Sequence, residues 1–145
     1  MPIRPEWRAF YASKLWRFEI RPRILRRAGG QFDEKGRYLG GAKCEECGVP
    51  DRKIATRGPE SSWKIGAHWW SPHGLPPSKW LRIRSVAVVL TIAHLNHDHS
   101  DNRDDNLKAL CQWCHLNYDK PHHKETREIH KDQKRPLLAA VEARV

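Results

Sequence analysis

Three short segments in the second half of the 145-residue chain specify its fold: Thr91-Ile-Ala-His94-Leu-Asn-His-Asp98, Asp105-Asn106-Leu107, and Leu110-Cys111-Gln-Trp-Cys114-His115. The β-branched run over residues 83–93 predicts a strand that leads into His94, and the polar residues 95–105 predict a loop. Residues 107–111 predict a short returning strand. A helix is predicted to begin near Cys114 and to carry His115 and Asp119 on one face, four residues apart.

The four cysteines form two CxxC pairs, Cys44 with Cys47 and Cys111 with Cys114. Each pair offers two thiolates from a tight turn, and two such pairs match the ligands of one tetrahedral Zn²⁺. A secreted disulfide protein would need a signal peptide, and charged residues interrupt the N-terminal segment where its apolar core would lie. We therefore predict a structural zinc site, with disulfides or free thiols as the alternatives. Gly48, after the second cysteine, permits the positive φ that turns backbone amides toward the sulfurs.

Basic residues outnumber acidic ones, with 27 Lys and Arg against 17 Asp and Glu, so the formal net charge is +10. This charge predicts a polyanionic partner, and nucleic acid is the first candidate. A high net charge also favours solubility without any such partner. The excess is uneven, because residues 1–30 hold eight basic and two acidic residues whereas the His-rich residues 94–119 hold two and five. Basic flanks around an acidic, His-rich centre suggest phosphate contacts around a cation site. No apolar run approaches the roughly 20 residues of a membrane span, and we expect a cytoplasmic protein.

The N-terminal segment has the apolar spacing of a helix over residues 5–28. We expect Pro22 to break this helix, residues 24–28 to form a second one, and Gly29 and Gly30 to end it. Its basic residues, Arg8 and Arg17 among them, form either a solvated face or an arm that contacts phosphates. Residues 31–43 predict a loop, and residues 120–145 predict a basic helical tail that Pro121 breaks or restarts.

Residues 50–80 hold five prolines and four tryptophans and predict a long ordered loop with short strands. Tryptophans at this density either stack on bases or cover a small core, and we favour the core. Hydrophobic residues make up 39% of the chain, which supports one modest core. We predict a single domain over residues 1–145, with a basic helical arm (1–30), a zinc-supported core (44–119) and a basic helical tail (120–145).

The central segments suit phosphodiester hydrolysis, since an imidazole at a strand end can deprotonate water and an asparagine can orient that imidazole. A divalent cation held from a helix would stabilise the leaving oxygen. In their order, these segments resemble the HNH endonucleases, and Cys44-Glu-Glu-Cys47-Gly48 resembles the zinc-bearing version of that family. The resemblance covers residues 44–119. It implies an α+β fold with a small ββα-metal (His-Me finger) core, a four-cysteine zinc knuckle pair and a basic N-terminal helix.

The resemblance also implies a role for individual residues. His94 would be the general base, Asn106 would place the loop and the base, and His115 would bind a catalytic Mg²⁺ or another divalent cation. Asp119 occupies a place where some members have a further metal ligand. Each residue also has a plainer alternative. Asn106 could cap a turn, and Asp119 could be a surface carboxylate. His115 could support the zinc ligands or take no part in the chemistry. The four cysteines would bind a separate, structural Zn²⁺.

One position departs from the family pattern. Many members have Asp or His before the first histidine, as a ligand of the catalytic metal, and this chain has Ala93. His97 and Asp98 are the best substitutes, although polar loop residues are usually only solvated. Arg103 and Lys108 lie near these residues in sequence and are candidate phosphate contacts.

The residues and the resemblance together predict a metal-dependent DNA endonuclease or nickase, working with phage or host DNA-processing proteins. The choice of DNA over RNA follows from the resemblance alone. The alternative is a non-catalytic, zinc-stabilised nucleic-acid-binding module that has lost its chemistry, which Ala93 favours. A protein-interaction zinc domain is a third option, and the charge of +10 does not require it.

Overall fold

The computed structural model describes residues 4–58, 62–72 and 85–142, without the side chains of residues 130 and 132–142. It is a mixed α/β structure with helices α1 (Pro5–Ala12), α2 (Arg21–Arg27) and α3 (Gln112–Glu142), a π-helical turn (Trp16–Ile20) and a 3₁₀ turn (Asp104–Asn106). The strands are β1 (Gln31–Phe32), β2 (Tyr38–Gly40), β3 (Ile54–Arg57), β4 (Trp63–Ile65), β5 (His68–Trp70), β6 (Ser85–Ala87), β7 (Leu90–His94) and β8 (Leu107–Cys111). The chain divides into two compact units, Met1–His115 and Leu116–Val145.

The N-terminal helical segment breaks at Ser13, so the prediction of a break at Pro22 is wrong. Ser13 has extended backbone angles, φ −67° and ψ 156°, and its Oγ accepts a hydrogen bond from the amide of Trp16 at 3.2 Å. A serine in this position caps the helical turn that follows. Pro22 lies at the start of α2, where a missing amide hydrogen is tolerated. Gly29, with φ +95°, ends α2 as predicted.

The strands form three antiparallel sheets in the described residues. Strands β1 and β2 pair with each other, β5, β4, β3 and β6 lie in that order in a four-stranded sheet, and β7 pairs with β8. The prediction that residues 31–43 are only a loop is therefore wrong, because β1 and β2 make a small hairpin within them. In the aromatic segment, Trp63 is fully buried and Trp70 packs against the core, as predicted, while Trp69 is 37% exposed. Trp80 lies outside the described residues.

The single strand predicted over residues 83–93 is instead two strands in two sheets, β6 and β7; residues 83 and 84 lie outside the described residues. The pairing changes at Val88, whose amide donates to the Lys53 carbonyl at 2.7 Å. The next two amides are bound by side chains, Val89 by Gln112 Oε1 at 2.9 Å and Leu90 by the buried Asp51 at 3.0 Å. These hydrogen bonds to side chains take the place of bonds between strands, so the chain leaves one sheet and enters the other.

Strands β7 and β8 form a hairpin in full register, from Leu90 opposite Cys111 to His94 opposite Leu107. The predictions of a strand over 107–111 and of a helix near the second CxxC pair are confirmed. The predicted break at Pro121 is wrong, since α3 runs from Gln112 to Glu142. Proline removes one amide donor and crowds the carbonyl four residues earlier, and the other hydrogen bonds of this long helix continue on both sides of it. No helix among the described residues has both the length and the apolar character needed to cross a membrane.

The core of the first unit lies between α2, the hairpin β7–β8 and the cysteine turns. It combines helix residues Trp16, Ile20, Ile24 and Leu25 with Val49, Trp63, Val88, Leu90, Ile92, Leu107, Ala109, Leu110 and all four cysteines. Arg27 ties this assembly together from outside, because its guanidinium bonds to both oxygens of Glu45 (2.7 and 2.8 Å) and to the carbonyls of Asp104 and Leu107 (2.7 and 2.5 Å). Glu45 in turn accepts the amide of Ala109 at 2.8 Å. The first CxxC turn is thus fixed to β8 and α2.

Candidate functional site

The four cysteines meet as one buried cluster. Their sulfur atoms all lie within 4.8 Å of one another, and none is in a disulfide bond. The sulfurs of Cys47 and Cys111 are 3.8 Å apart. A tetrahedron with Zn–S bonds of about 2.3 Å has edges of about 3.8 Å, so this spacing fits the ion. The donor set is of the kind that holds a metal ion such as zinc.

Backbone geometry explains why both CxxC pairs face the same point. In the first pair, the Gly48 amide donates to the Cys44 carbonyl at 2.9 Å and Gly48 has φ +85°, a conformation that glycine adopts without strain. In the second pair, Cys111 ends β8 and Cys114 lies in the first turn of α3. The amide of Cys111 points at the sulfur of Cys44 (3.3 Å), and that of Cys114 points at the sulfur of Cys111 (3.4 Å).

The buried thiols influence one another's protonation. Hydrogen bonding with neighbouring thiols, first with Cys111, lowers the pKa of Cys44 and raises the pKa of Cys114. The cluster alone therefore favours a mixture of thiol and thiolate. A metal ion that binds all four sulfurs displaces the remaining protons, so its affinity depends on pH.

Trp63 is a further neighbour of this cluster that sequence reasoning did not single out. Its side chain is fully buried, and its indole Nε1–H donates to the sulfur of Cys111 at 3.2 Å. The sequence signalled only a segment dense in tryptophan, without indicating which one reaches a cysteine. Because Trp63 lies on β4, it links the four-stranded sheet to the cysteine cluster.

His94 is the last residue of β7 and is 7% exposed. Its Nε2 lies 2.9 Å from the carboxamide oxygen of Asn102, to which it donates. The sequence predicted that Asn106 would orient this ring, and the structure gives the contact to Asn102. A rigid strand end and a hydrogen bond from one ring nitrogen are what a positioned base requires.

Asn106 holds the loop between β7 and β8. Its Nδ2 donates to Asn96 Oδ1 (2.9 Å) and to the carbonyl of Asp101 (2.8 Å), and its Oδ1 accepts the Asn96 amide (3.1 Å). Asn96 closes the network by donating to Asp101 Oδ2 at 2.9 Å. These bonds fix the loop that follows His94, and the predicted role of Asn106 in placing the base stays a prediction.

The proposed substitutes for a ligand at Ala93 lie in the same loop. His97 has φ +59°, and its amide donates to the His94 carbonyl at 3.0 Å. Asp98 is exposed, and hydrogen bonds from the Ser100 hydroxyl and amide hold the pKa of its carboxyl below the ordinary value. Asp98 is thus ionised at neutral pH, as a metal ligand must be, but its oxygen already caps a turn.

His115 lies in the first turn of α3, and its Nδ1 is 2.7 Å from the hydroxyl of Thr91. Thr91 and His94 are three residues apart on β7, so their side chains point to opposite faces of the strand. Burial agrees with this alternation, because Thr91 is exposed and His94 is buried. The structure therefore brings His115 to the Thr91 face and His94 to the other. Asp119 belongs to the second unit, and its metal-binding role stays a prediction.

Aromatic side chains of the N-terminal segment cover His94 and the neighbouring His99; we call Trp7, Tyr11 and Trp16 the aromatic cover. Trp16 stacks on the His94 ring with centroids 5.9 Å apart and an interplanar angle of 18°, and Trp7 stacks on His99 at 5.3 Å. The Tyr11 hydroxyl bonds to His99 Nδ1. Burial raises the pKa of Tyr11 to about 12 and lowers the pKa of His99, so both are neutral near pH 7. The sequence showed a helical apolar spacing in this segment without showing what its aromatic side chains contact.

The four candidate phosphate contacts divide into two kinds. Arg8 and Arg17 are exposed on the N-terminal segment. Arg103 is bound to Asp101 through 2.9 and 2.8 Å hydrogen bonds, and Lys108 Nζ lies 2.6 Å from Glu46. An arginine or lysine already paired in this way must give up its carboxylate to bind a phosphate, which favours Arg8 and Arg17.

Among the described residues, the cysteine cluster alone brings three or more Cys, His, Asp or Glu ligand atoms together. Ala93 is buried and has no ligand atom. That part of the chain therefore holds no second cluster of three or more such ligand atoms. Comparison with protein-family models, with curated proteins and with solved structures returns no match.

Proposed function

We propose that this chain is a metal-dependent DNA endonuclease or nickase of the HNH type, acting in the cytoplasm. One observation carries the proposal: the hairpin β7–β8 presents a hydrogen-bonded His94 at its tip, and the following helix starts with His115 beside the cysteine cluster. This is the element order that the resemblance implies for a His-Me finger core. A structural Zn²⁺ held by the four cysteines would join the hairpin to the first CxxC turn.

In the proposed reaction, His94 accepts a proton from the water that attacks the scissile phosphate. Fixed at a strand end, the imidazole needs no reorganisation when the proton transfers. A positioned general base of this kind contributes about 10²–10⁴-fold to a rate. The leaving 3′ oxygen receives its proton from solvent.

The catalytic cation would have few ligands on this chain. His115 is the candidate ligand on this chain, Asp119 is the predicted companion, and Ala93 contributes nothing. A bound divalent cation would neutralise charge on the phosphate and the leaving oxygen, with the substrate spanning the two faces of β7 on which His115 and His94 lie. With so few protein ligands, the cation would be held largely by water and substrate.

DNA binding is proposed to rest on phosphate contacts from the basic N-terminal segment. Such binding weakens steeply with salt, with a slope of log K against log salt of about −0.9 for each phosphate neutralised. Replacing Arg8 and Arg17 together with alanine should reduce the magnitude of that slope. The control is Lys35→Ala in the exposed turn between β1 and β2, which removes one positive charge outside the N-terminal segment and should leave the slope unchanged. Fluorescence anisotropy with a labelled duplex at several salt concentrations measures it.

The direct experiment is conversion of supercoiled plasmid to nicked or linear forms by purified protein. We expect cleavage with Mg²⁺ or Mn²⁺, none with EDTA added briefly at the time of assay, and loss of cleavage in His94→Ala. Zinc measured in the same samples shows that the cysteine cluster is intact. Wild-type protein with a full zinc site that leaves plasmid uncut under both metals would refute the nuclease.

A non-catalytic, zinc-stabilised nucleic-acid-binding module is the second candidate. Two observations favour it: Ala93 cannot bind a cation, and Trp16 and Tyr11 pack on the ring of His94. This candidate predicts salt-dependent DNA binding with no cleavage, and His94→Ala would leave both properties unchanged. The same plasmid and anisotropy assays therefore separate the two.

A further inference from the structure

We propose that Asn102 is the positioning residue of His94: it holds the ring as the Nε2–H tautomer, so that Nδ1 is the atom that accepts a proton. The hydrogen bond carries this inference, because a carboxamide oxygen only accepts and the ring nitrogen 2.9 Å from it must donate. A neutral imidazole has one protonated nitrogen, so Nδ1 then carries the lone pair.

The orientation of the Asn102 carboxamide is fixed independently of His94. Its Nδ2 lies 3.3 Å from the carbonyl of His99 and 3.3 Å from the carbonyl of Ser100, and both of these can only accept. The opposite orientation would place the carboxamide oxygen against two carbonyl oxygens. The oxygen therefore faces His94, and the tautomer follows.

The loop that carries Asn102 is itself braced. Asn106 bonds to Asn96 and to the Asp101 carbonyl, and Arg103 grips the Asp101 side chain at 2.8 and 2.9 Å. These bonds lie on both sides of Asn102 along the chain. They explain how Asn106 acts on the ring at a distance, since it fixes the loop from which Asn102 reaches His94.

The ring is also prevented from exchanging its two nitrogens by rotation. Trp16 stacks on one face at 5.9 Å, the ring of Tyr11 meets it edge-on at 6.4 Å, and His99 lies 5.2 Å away. In so crowded a setting, a half-turn of the imidazole requires its neighbours to move. Tautomer and orientation together place the lone pair in one direction. Its use as a general base rests on the proposed function, whereas the tautomer does not.

The experiment is ¹⁵N NMR of histidine-labelled, zinc-loaded protein at a pH where His94 is neutral, since ring ¹⁵N shifts report which nitrogen is protonated. Three proteins are compared: wild type, Asn102→Ala and Ser100→Ala. Ser100→Ala is the matched control, because it removes a loop hydrogen bond, from the Ser100 hydroxyl to Asp98, and leaves the contacts of His94, Asn102 and Asn106 in place. Plasmid cleavage is measured on the same samples.

We expect a single Nε2–H tautomer in wild type and Ser100→Ala, and a mixture of tautomers in Asn102→Ala. If both tautomers are equally populated there, the cleavage rate falls at least about twofold from population alone. The inference is overturned if wild type is Nδ1–H, if Asn102→Ala keeps the wild-type tautomer, or if Ser100→Ala mixes tautomers as Asn102→Ala does. A protein that shows the expected tautomers but never cuts DNA refutes the nuclease and leaves the role of Asn102 intact.

Discussion

The substitution Trp63→Phe tests how the core and the cysteine cluster depend on each other. Trp63 is fully buried, and its indole N–H lies 3.2 Å from the sulfur of Cys111. Phenylalanine keeps an aromatic ring in the core, removes the donor and leaves part of the indole volume empty. The change therefore separates the hydrogen bond to sulfur from the simple presence of a ring.

The expected magnitude has two parts. A hydrogen bond to a charged group is worth about 1.5–3 kcal/mol, and a thiolate that binds zinc carries such a charge. A vacated space of methyl size or more costs about 1 kcal/mol further. The free energy of unfolding of the zinc-loaded protein should fall by about 2.5–4 kcal/mol. Loss of the donor alone should weaken zinc affinity by about 10–100-fold, the usual effect of removing a group that supports a metal ligand.

The assay is zinc competition with a chromophoric chelator, together with urea unfolding followed by circular dichroism. The control is Trp70→Phe, because Trp70 pairs with Trp63 across β4 and β5 and is only half-buried against the core. Trp70→Phe should lower stability slightly and leave zinc affinity unchanged. Equal zinc affinities in the two variants would refute the argument that the indole supports the metal site.

Three further predictions concern stability. Gly30→Ala should lower the free energy of urea unfolding by about 1–3 kcal/mol, because the new Cβ would lie 2.7 Å from the Leu25 carbonyl oxygen. Its control is Gly36→Ala, whose Cβ meets no atom within 4 Å and which should cost only about 1 kcal/mol for a φ of +75°. Hydrogen bonds from Arg103 lower the pKa of Asp101 to about 2, below the unfolded value of about 3.9, so this contribution is present above pH 4 and lost as pH falls toward 2. Asp101→Asn should accordingly flatten an acid-unfolding curve over that interval, and an unchanged curve would contradict the assignment. Removing zinc with a chelator should unfold the first unit in circular dichroism, whereas an unchanged unfolding midpoint would show that the cluster is not structural.

The cysteine cluster is the part of the site that the sequence predicted best. Metal ligands in a CxxC pair are brought together by local turn geometry, and two pairs with thiol side chains have few other uses within a chain of this kind. The short strand β8, the start of α3 and the position of His94 at a strand end were also predictable from local pattern. The residues between these elements were not, because their positions depend on contacts distant in sequence.

The strand over residues 83–93 shows why. Its β-branched residues favour an extended chain throughout, and the actual change of sheet depends on Asp51 and Gln112, which lie 39 and 23 positions away from the amides they bind. The N-terminal break is a similar case. Proline is a strong signal at position 22, but Ser13 interrupts the helix earlier by capping the next turn.

The partners of His94 illustrate the same limit at the site. Asn102 and Asn106 are both asparagines in one polar loop, and no local pattern distinguishes the one that reaches the imidazole. Trp16 lies 78 positions before His94, and the apolar spacing of the N-terminal helix did not indicate this contact. Contacts of this kind are set by the tertiary fold, which pattern and propensity do not specify.

The central claim is that His94 is the general base of a DNA nuclease, and its most direct test is the initial rate of plasmid nicking by His94→Ala relative to wild type. Both proteins must carry one zinc per chain and bind DNA equally, so that the ratio reports chemistry alone. The proposal predicts a fall of about 10²-fold or more. Equal nicking rates would contradict it.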